Sequence, residues 1–154
     1  MFIQKQIMLV TVVHHIKYTT LSHIKKQTIG EVLAEVKKVR DLYKRCGFQV
    51  NEIHTDPEFN PLCAAFIALR INYNQVATSE HVPEVEQQIR VIKERVWCVW
   101  SQLPYNVILK KIVLVLAQMV VLWLNNFLPK CSVSDTLSLR QTVLGTKLDM
   151  RKHC

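Results

Sequence analysis

The run IMLVTVV, Ile7–Val13, is apolar on both of its alternating sets of positions and rich in β-branched side chains. A strand written this way has no solvent face and must be covered on both sides. That points to a layered α/β domain rather than to a one-faced sheet. The next stretch, HHIKYTT, follows closely enough to be its hairpin partner.

The layers come from helices with clear signals. Thr28 and Glu31 form a T-x-x-E capping box. Ile29, Val32, Leu33, Val36, Val39 and Tyr43 follow at helical spacing, and Gly47 stops the helix as its C′ residue. FQVNEIH, 48–54, reads as a short strand, Pro61–Arg70 as a short helix and INYNQVAT, 71–78, as another strand. Pro83 stands at a first helical position. Val85, Ile89, Ile92, Val96, Val99 and Leu103 then repeat at steps of four and three up to Pro104. A long apolar helix takes Ile108–Phe127. The segment from Pro129 on is polar and shows no period. The expected order is strand, strand, helix, strand, helix, strand, helix, helix. This is an α/β class domain with a mixed sheet and flanking helices over residues 1–128, followed by a polar tail over 129–154.

Composition narrows the classes. A chain of 154 residues is one domain with room for a core. The five cysteines are odd in number, widely spaced and without a C-x-x-C pair, which argues against a disulfide framework and for a reducing, intracellular compartment. His14, His15 and His23 cluster, but no cysteine pair lies near enough to complete a zinc site. Ile7–Val13 is too short for a signal peptide. IVLVLAQMVVLWL, Ile112–Leu124, falls short of the ~20 residues that span a bilayer; it reads as a buried core helix, and a membrane is disfavoured as partner.

The formal charge is +8, unevenly spread. Residues 1–50 hold nine Lys or Arg and three acids, residues 51–100 four and seven, and residues 101–154 seven and two. A basic protein with an acidic middle suits a polyanion, or it is simply a solvated surface. The acidic middle has structure. Asp56 lies just past a strand, and Glu84 and Glu86 lie in the first turn of a helix. There the helix dipole alone accounts for both glutamates.

The segment VNEIHTDPEF, followed by SEHVPEVEQQIRVIKERVW, resembles the integrase catalytic core of copia-type LTR retrotransposons. LWLNNFLPKCSVSDTLSLRQTVLGTKLDMRKHC is similar to the stretch that follows the core in those polyproteins. The likeness starts at FIQKQIMLVTV and covers nearly the whole chain. It implies a ribonuclease-H-like fold and DNA integration by metal-dependent phosphodiester transfer. In that chemistry two Asp and one Glu hold two Mg²⁺ or Mn²⁺ ions, which activate the attacking oxygen and stabilise the leaving one.

By this resemblance Asp56 is the second Asp and Glu86 the Glu, with Glu84 its rival. Arg90 and Lys93 share a helix face with Glu86 and would contact a DNA end. Lys37, Lys38, Lys44 and Arg45 form a second basic face. The chain departs from the pattern in several places. The first catalytic Asp would fall upstream of Met1, and no acid occurs before Glu31. Pro57 and Gln87 stand where a Gly and an Arg are expected, and Leu139 where a Pro is.

The expectation is an integrase-core-like fragment, inactive as written, that binds nucleic acid and is open to homo-oligomerisation. The alternatives are an enzyme whose true start lies upstream and an interaction or membrane-associated protein built around helix 108–127.

Overall fold

The computed structural model describes residues 1–3, 6–75, 83–105, 109–127 and 134–146. Within them the chain is mixed α/β with small sheets. β1 (Phe2–Ile3), β2 (Gln6–Val12) and β3 (Thr19–Ile24) form an antiparallel sheet in that order. α1 (Ile29–Arg45) follows, then β4 (Glu52–Thr55), a 3-10 turn over Pro57–Leu62 and α2 (Cys63–Ala68). β5 (Asn72–Gln75) pairs with β4 in parallel, Glu52 opposite Asn72. α3 (Pro83–Ser101), α4 (Lys110–Asn126) and α5 (Leu139–Leu144) complete the order. The sequence leads one to expect a single mixed sheet. Among the described residues the hydrogen bonding falls into two sheets, β1–β2–β3 and β4–β5.

The two-faced reading of β2 holds. Met8 and Val10 point into a core built with Ile92 and Val96 of α3 and Val113, Leu116, Ala117, Val120 and Val121 of α4. Ile7 and Leu9 point the other way, into a second core with Val32, Leu33 and Val36 of α1 and with Leu62 and Phe66. β2 is therefore sandwiched between helical layers, as a strand without a polar face requires.

Local signals explain most boundaries. The Thr28 hydroxyl accepts from the Glu31 N–H at 3.4 Å and starts α1. Glu31 reaches back to the Lys26 N–H at 2.8 Å, two residues before the cap. At the other end Gly47, at φ 83°, makes a Schellman turn: the Phe48 N–H donates to Tyr43 O and the Gly47 N–H to Lys44 O. That turn consumes the Phe48 N–H, so the expected strand over 48–54 begins only at Glu52. Phe48 and Val50 instead pack around Tyr18 and Tyr43.

Three further expectations shift. The hairpin partner of β2 is Thr19–Ile24 rather than 14–20, because His14–Lys17 form a four-residue loop. The loop is closed by Val13 and Tyr18 and turned by Lys17 at φ 62°. The helix expected over Pro61–Arg70 starts earlier, as a 3-10 turn from Pro57, and ends where Arg70 takes φ 57°. The polar tail contains α5, with a reciprocal Ser138–Gln141 capping box and Gly145 at φ 65°. Its Leu139 and Val143 are buried against Tyr18 and Tyr43. On α3, Val99 is exposed and Trp100 takes the inward position instead. Val76–Thr78, Ile108, Cys131 and Cys154 lie outside the described residues. Cys46, Cys63 and Cys98 are free thiols.

Candidate metal and nucleic-acid site

β4 ends at Thr55, so Asp56 is the first residue past a strand and the N-cap of the 3-10 turn, with Pro57 at N1. The Asp56 carbonyl accepts from the Phe59 N–H at 3.1 Å. The turn is fastened to β5 from one side. The Thr55 hydroxyl donates to the Tyr73 hydroxyl at 3.2 Å, and Tyr73 donates to Asn60 Oδ1 at 2.8 Å. The Tyr73 ring stacks on Phe66 with centroids 5.8 Å apart. Asp56 is half-buried. Nothing in the motif D-P-E-F points to Tyr73 as its support. The link becomes visible only once β4 and β5 pair.

Glu84 and Glu86 both lie in the first turn of α3, as the Pro83 start dictates. Their surroundings separate them. Glu84 accepts from His14 Nδ1 at 2.8 Å and from Lys17 Nζ, so the β2–β3 loop occupies both of its oxygens. Burial pushes its carboxyl up, but the hydrogen bonds and charges of Lys17 and His14 outweigh this and hold it below its ordinary value. A carboxylate committed in this way is a poor cation ligand. The histidines of the sequence cluster thus have a structural use: His14 ties the hairpin loop to the start of α3.

Glu86 and Arg90 are exposed and Lys93 is half-buried, all on α3. Arg90 also lies 3.9 Å from Glu94, its neighbour one turn on, in an exposed pair. Lys93 lies near the chain's amino group, whose pKa is lowered by burial and by Lys93 and raised by Glu58. The second basic face is less available than its sequence suggests. Lys37, Lys44 and Arg45 are exposed, but Lys38 Nζ donates to Glu35 at 2.5 Å.

That pair has a pH signature. The Lys38 hydrogen bond is the largest influence on the Glu35 carboxyl and lowers it; burial opposes this, and Ser22 and the Lys38 charge add to the lowering. A carboxyl with its folded pKa depressed contributes stability above its unfolded value of 4.5, and loses it as pH falls through the folded value. Glu35→Gln is expected to cost under about 1 kcal/mol at pH 7, since the Lys38 side of the pair is exposed to solvent. The cost should vanish in urea melts at acidic pH. A difference from wild type that stays constant down to pH 3 would show that the pair is not its source.

Among the described residues no three His, Cys, Asp or Glu side chains gather into a group able to hold a metal. Asp56 and Glu86 supply oxygen donors of the kind magnesium prefers. No described helix is long and apolar enough to cross a membrane. The chain matches no family model and no curated protein.

Proposed function

We propose that this chain is an integrase-core-like module with a ribonuclease-H-like arrangement, that it binds DNA through charge with little sequence preference, and that residues 1–154 do not catalyse strand transfer. The observation that carries the reading is positional. An antiparallel β1–β2–β3 unit, a helix, a parallel β4–β5 pair and two long helices follow one another in order. In that order Asp56 comes directly after β4 and Glu86 lies in the first turn of α3. The copia-type resemblance asks for its second Asp and its Glu at these places.

Arg90 and Lys93 follow Glu86 by four and seven residues and provide cations for a phosphate backbone beside the acids. Lys37 is a weaker contact on the α1 face, and Lys38 weaker still because Glu35 already holds it. Asp56 and Glu86 are the ligands that would hold a Mg²⁺ or Mn²⁺ ion. With two carboxylates the symmetric clamp on attacking and leaving oxygens is missing, so binding without chemistry is the expected behaviour.

The test is fluorescence anisotropy of a duplex oligonucleotide across a salt series. Wild-type affinity should fall steeply with salt. Arg90→Glu combined with Lys93→Glu should lower affinity at least about tenfold at low salt and reduce the log–log slope by about two units. If both affinity and slope stay put, the face beside Asp56 and Glu86 does not bind DNA. Metal-dependent nicking or joining that disappears in Asp56→Asn would overturn the assignment of inactivity.

A further inference from the structure

Trp97 of α3 is an exposed aromatic that charge-based DNA binding leaves unused. It is 54% exposed, and its ring stacks on Trp100 with centroids 5.3 Å and planes 25° apart. Trp100 is half-buried and packs against the core between α3 and α4. The inner ring is thus rooted and the outer ring lies over it, so Trp97 is held in place without being buried. Covering Trp100 accounts for one face of the Trp97 ring and leaves the other toward solvent.

The ring shares a helix face with the basic residues. Glu86, Arg90, Lys93 and Trp97 follow at steps of four, three and four. Lys93 comes one turn before Trp97, about 6 Å along the axis, and Arg90 two turns before it, about 10 Å. We propose that the outer face of Trp97 stacks an unpaired base of a single DNA strand whose phosphates lie on Arg90 and Lys93. This rests on the DNA-binding reading and adds the class of strand. Bases inside a duplex are already stacked on their neighbours and do not reach the ring, whereas every unpaired base offers a π face.

Charge and surroundings select this occupant. One turn to either side of Trp97 on this face stand Lys93, Glu94, Ser101 and the stacking partner Trp100. A protein partner calls for a contiguous apolar patch, and one open ring among charged and hydroxyl side chains is not such a patch. An aromatic face beside lysine and arginine is what a sequence-tolerant single-strand site is built from. Glu94, 3.9 Å from Arg90, borders the face on the side away from Lys93 and keeps phosphates to the Lys93 side. Because Trp100 fixes the ring beforehand, little side-chain freedom is lost when a base lands on it.

Anisotropy of a labelled oligo(dT) strand, run beside the duplex, tests it. Trp97→Ala should weaken single-strand binding at least about fivefold, spare the duplex and leave the salt slope as it was, because a stacked ring releases no counterions. Trp97→Leu still covers Trp100 but has no ring face, so it should fall with Trp97→Ala, while Trp97→Phe should stay close to wild type. The position is exposed, and circular dichroism of all three should match wild type. Arg90→Glu with Lys93→Glu should weaken binding of both DNAs, which separates the two claims. A loss in that variant with none in Trp97→Ala overturns the stacking site and leaves charge binding standing. Equal losses on single strand and duplex, or full single-strand affinity in Trp97→Leu, would show that the ring only covers Trp100. A wild-type chain that binds the duplex and ignores oligo(dT) overturns the proposal alone; one that binds neither overturns it together with the DNA-binding reading.

Discussion

Replacing Asn125 with Leu is expected to cost about 3 kcal/mol, a large share of the ~5–15 kcal/mol that holds a domain together. Asn125 is 5% exposed near the end of α4, and its amide makes two hydrogen bonds to one residue of β3. The Thr19 N–H donates to Asn125 Oδ1 at 3.0 Å, and Asn125 Nδ2 donates to the Thr19 carbonyl at 2.7 Å. The register explains why this matters. Val13 and Tyr18 form a hydrogen-bonded pair at the hairpin end, so the next pair, Val12 with Thr19, turns its backbone groups away from the ladder.

β3 is the sheet edge, and those groups of Thr19 face outward into a dry place, since Thr19 is 1% exposed. The Asn125 amide stands in for a neighbouring strand. Leu removes both partners and leaves a buried donor and a buried acceptor unsatisfied, at about 1–3 kcal/mol each, offset in part by the more apolar side chain. The urea midpoint should drop by roughly 1–2 M with an unchanged slope. Asn125→Asp sharpens the point: it keeps the acceptor, loses the donor and buries a charge, and should be at least as damaging at pH 7. An unaltered midpoint in both variants would mean that Thr19 finds other partners and the amide is dispensable.

This contact shows where sequence reading stops. The ends of α1 were legible because Thr28, Glu31 and Gly47 act within a few residues of themselves. The start of α3 was legible because Pro83 fixes its own backbone. The two-faced burial of β2 followed from composition alone. The Asn125–Thr19 clamp joins residues 106 apart, and the Glu84 contacts with His14 and Lys17 span 70 and 67 positions. No periodicity encodes such pairs.

α5 escaped for a different reason. Its six residues are too few to show a period, although Ser138 and Gln141 spell a capping box and Gly145 a stop. The apolar run Ile112–Leu124 reads as a buried core helix, because a helix without a polar face normally is one. α3, β3 and α5 reach only one side of it.

That Asp56 follows a strand and Glu86 lies in the first turn of a helix was legible in the sequence. What holds Asp56 was not, and this gives the second large expectation: Phe66→Ala should cost about 3–5 kcal/mol. Phe66 is 1% exposed on a helix of only six residues, too short to stand without packing. Its ring closes the core formed with Ile24 of the antiparallel sheet, Val32 of α1 and Leu62 of the 3-10 turn, and it stacks on Tyr73. Truncation leaves a void between four elements and removes the surface on which Tyr73 rests.

Tyr73 is also the hydroxyl that links Thr55 to Asn60 on either side of Asp56. The loss should therefore spread to the segment carrying the acid, while the α4 core around Val113 and Ala117, which shares no residue with it, keeps its packing. Hydrogen exchange reads both effects: amides of β4, β5 and the 3-10 turn should exchange much faster in Phe66→Ala, and those of α4 much less so. Phe66→Leu, which refills most of the volume, should recover the larger part of the stability. Uniform acceleration across the chain would mean that the two cores unfold as one unit. Phe66 would then be a general support of the fold rather than the prop beneath Asp56.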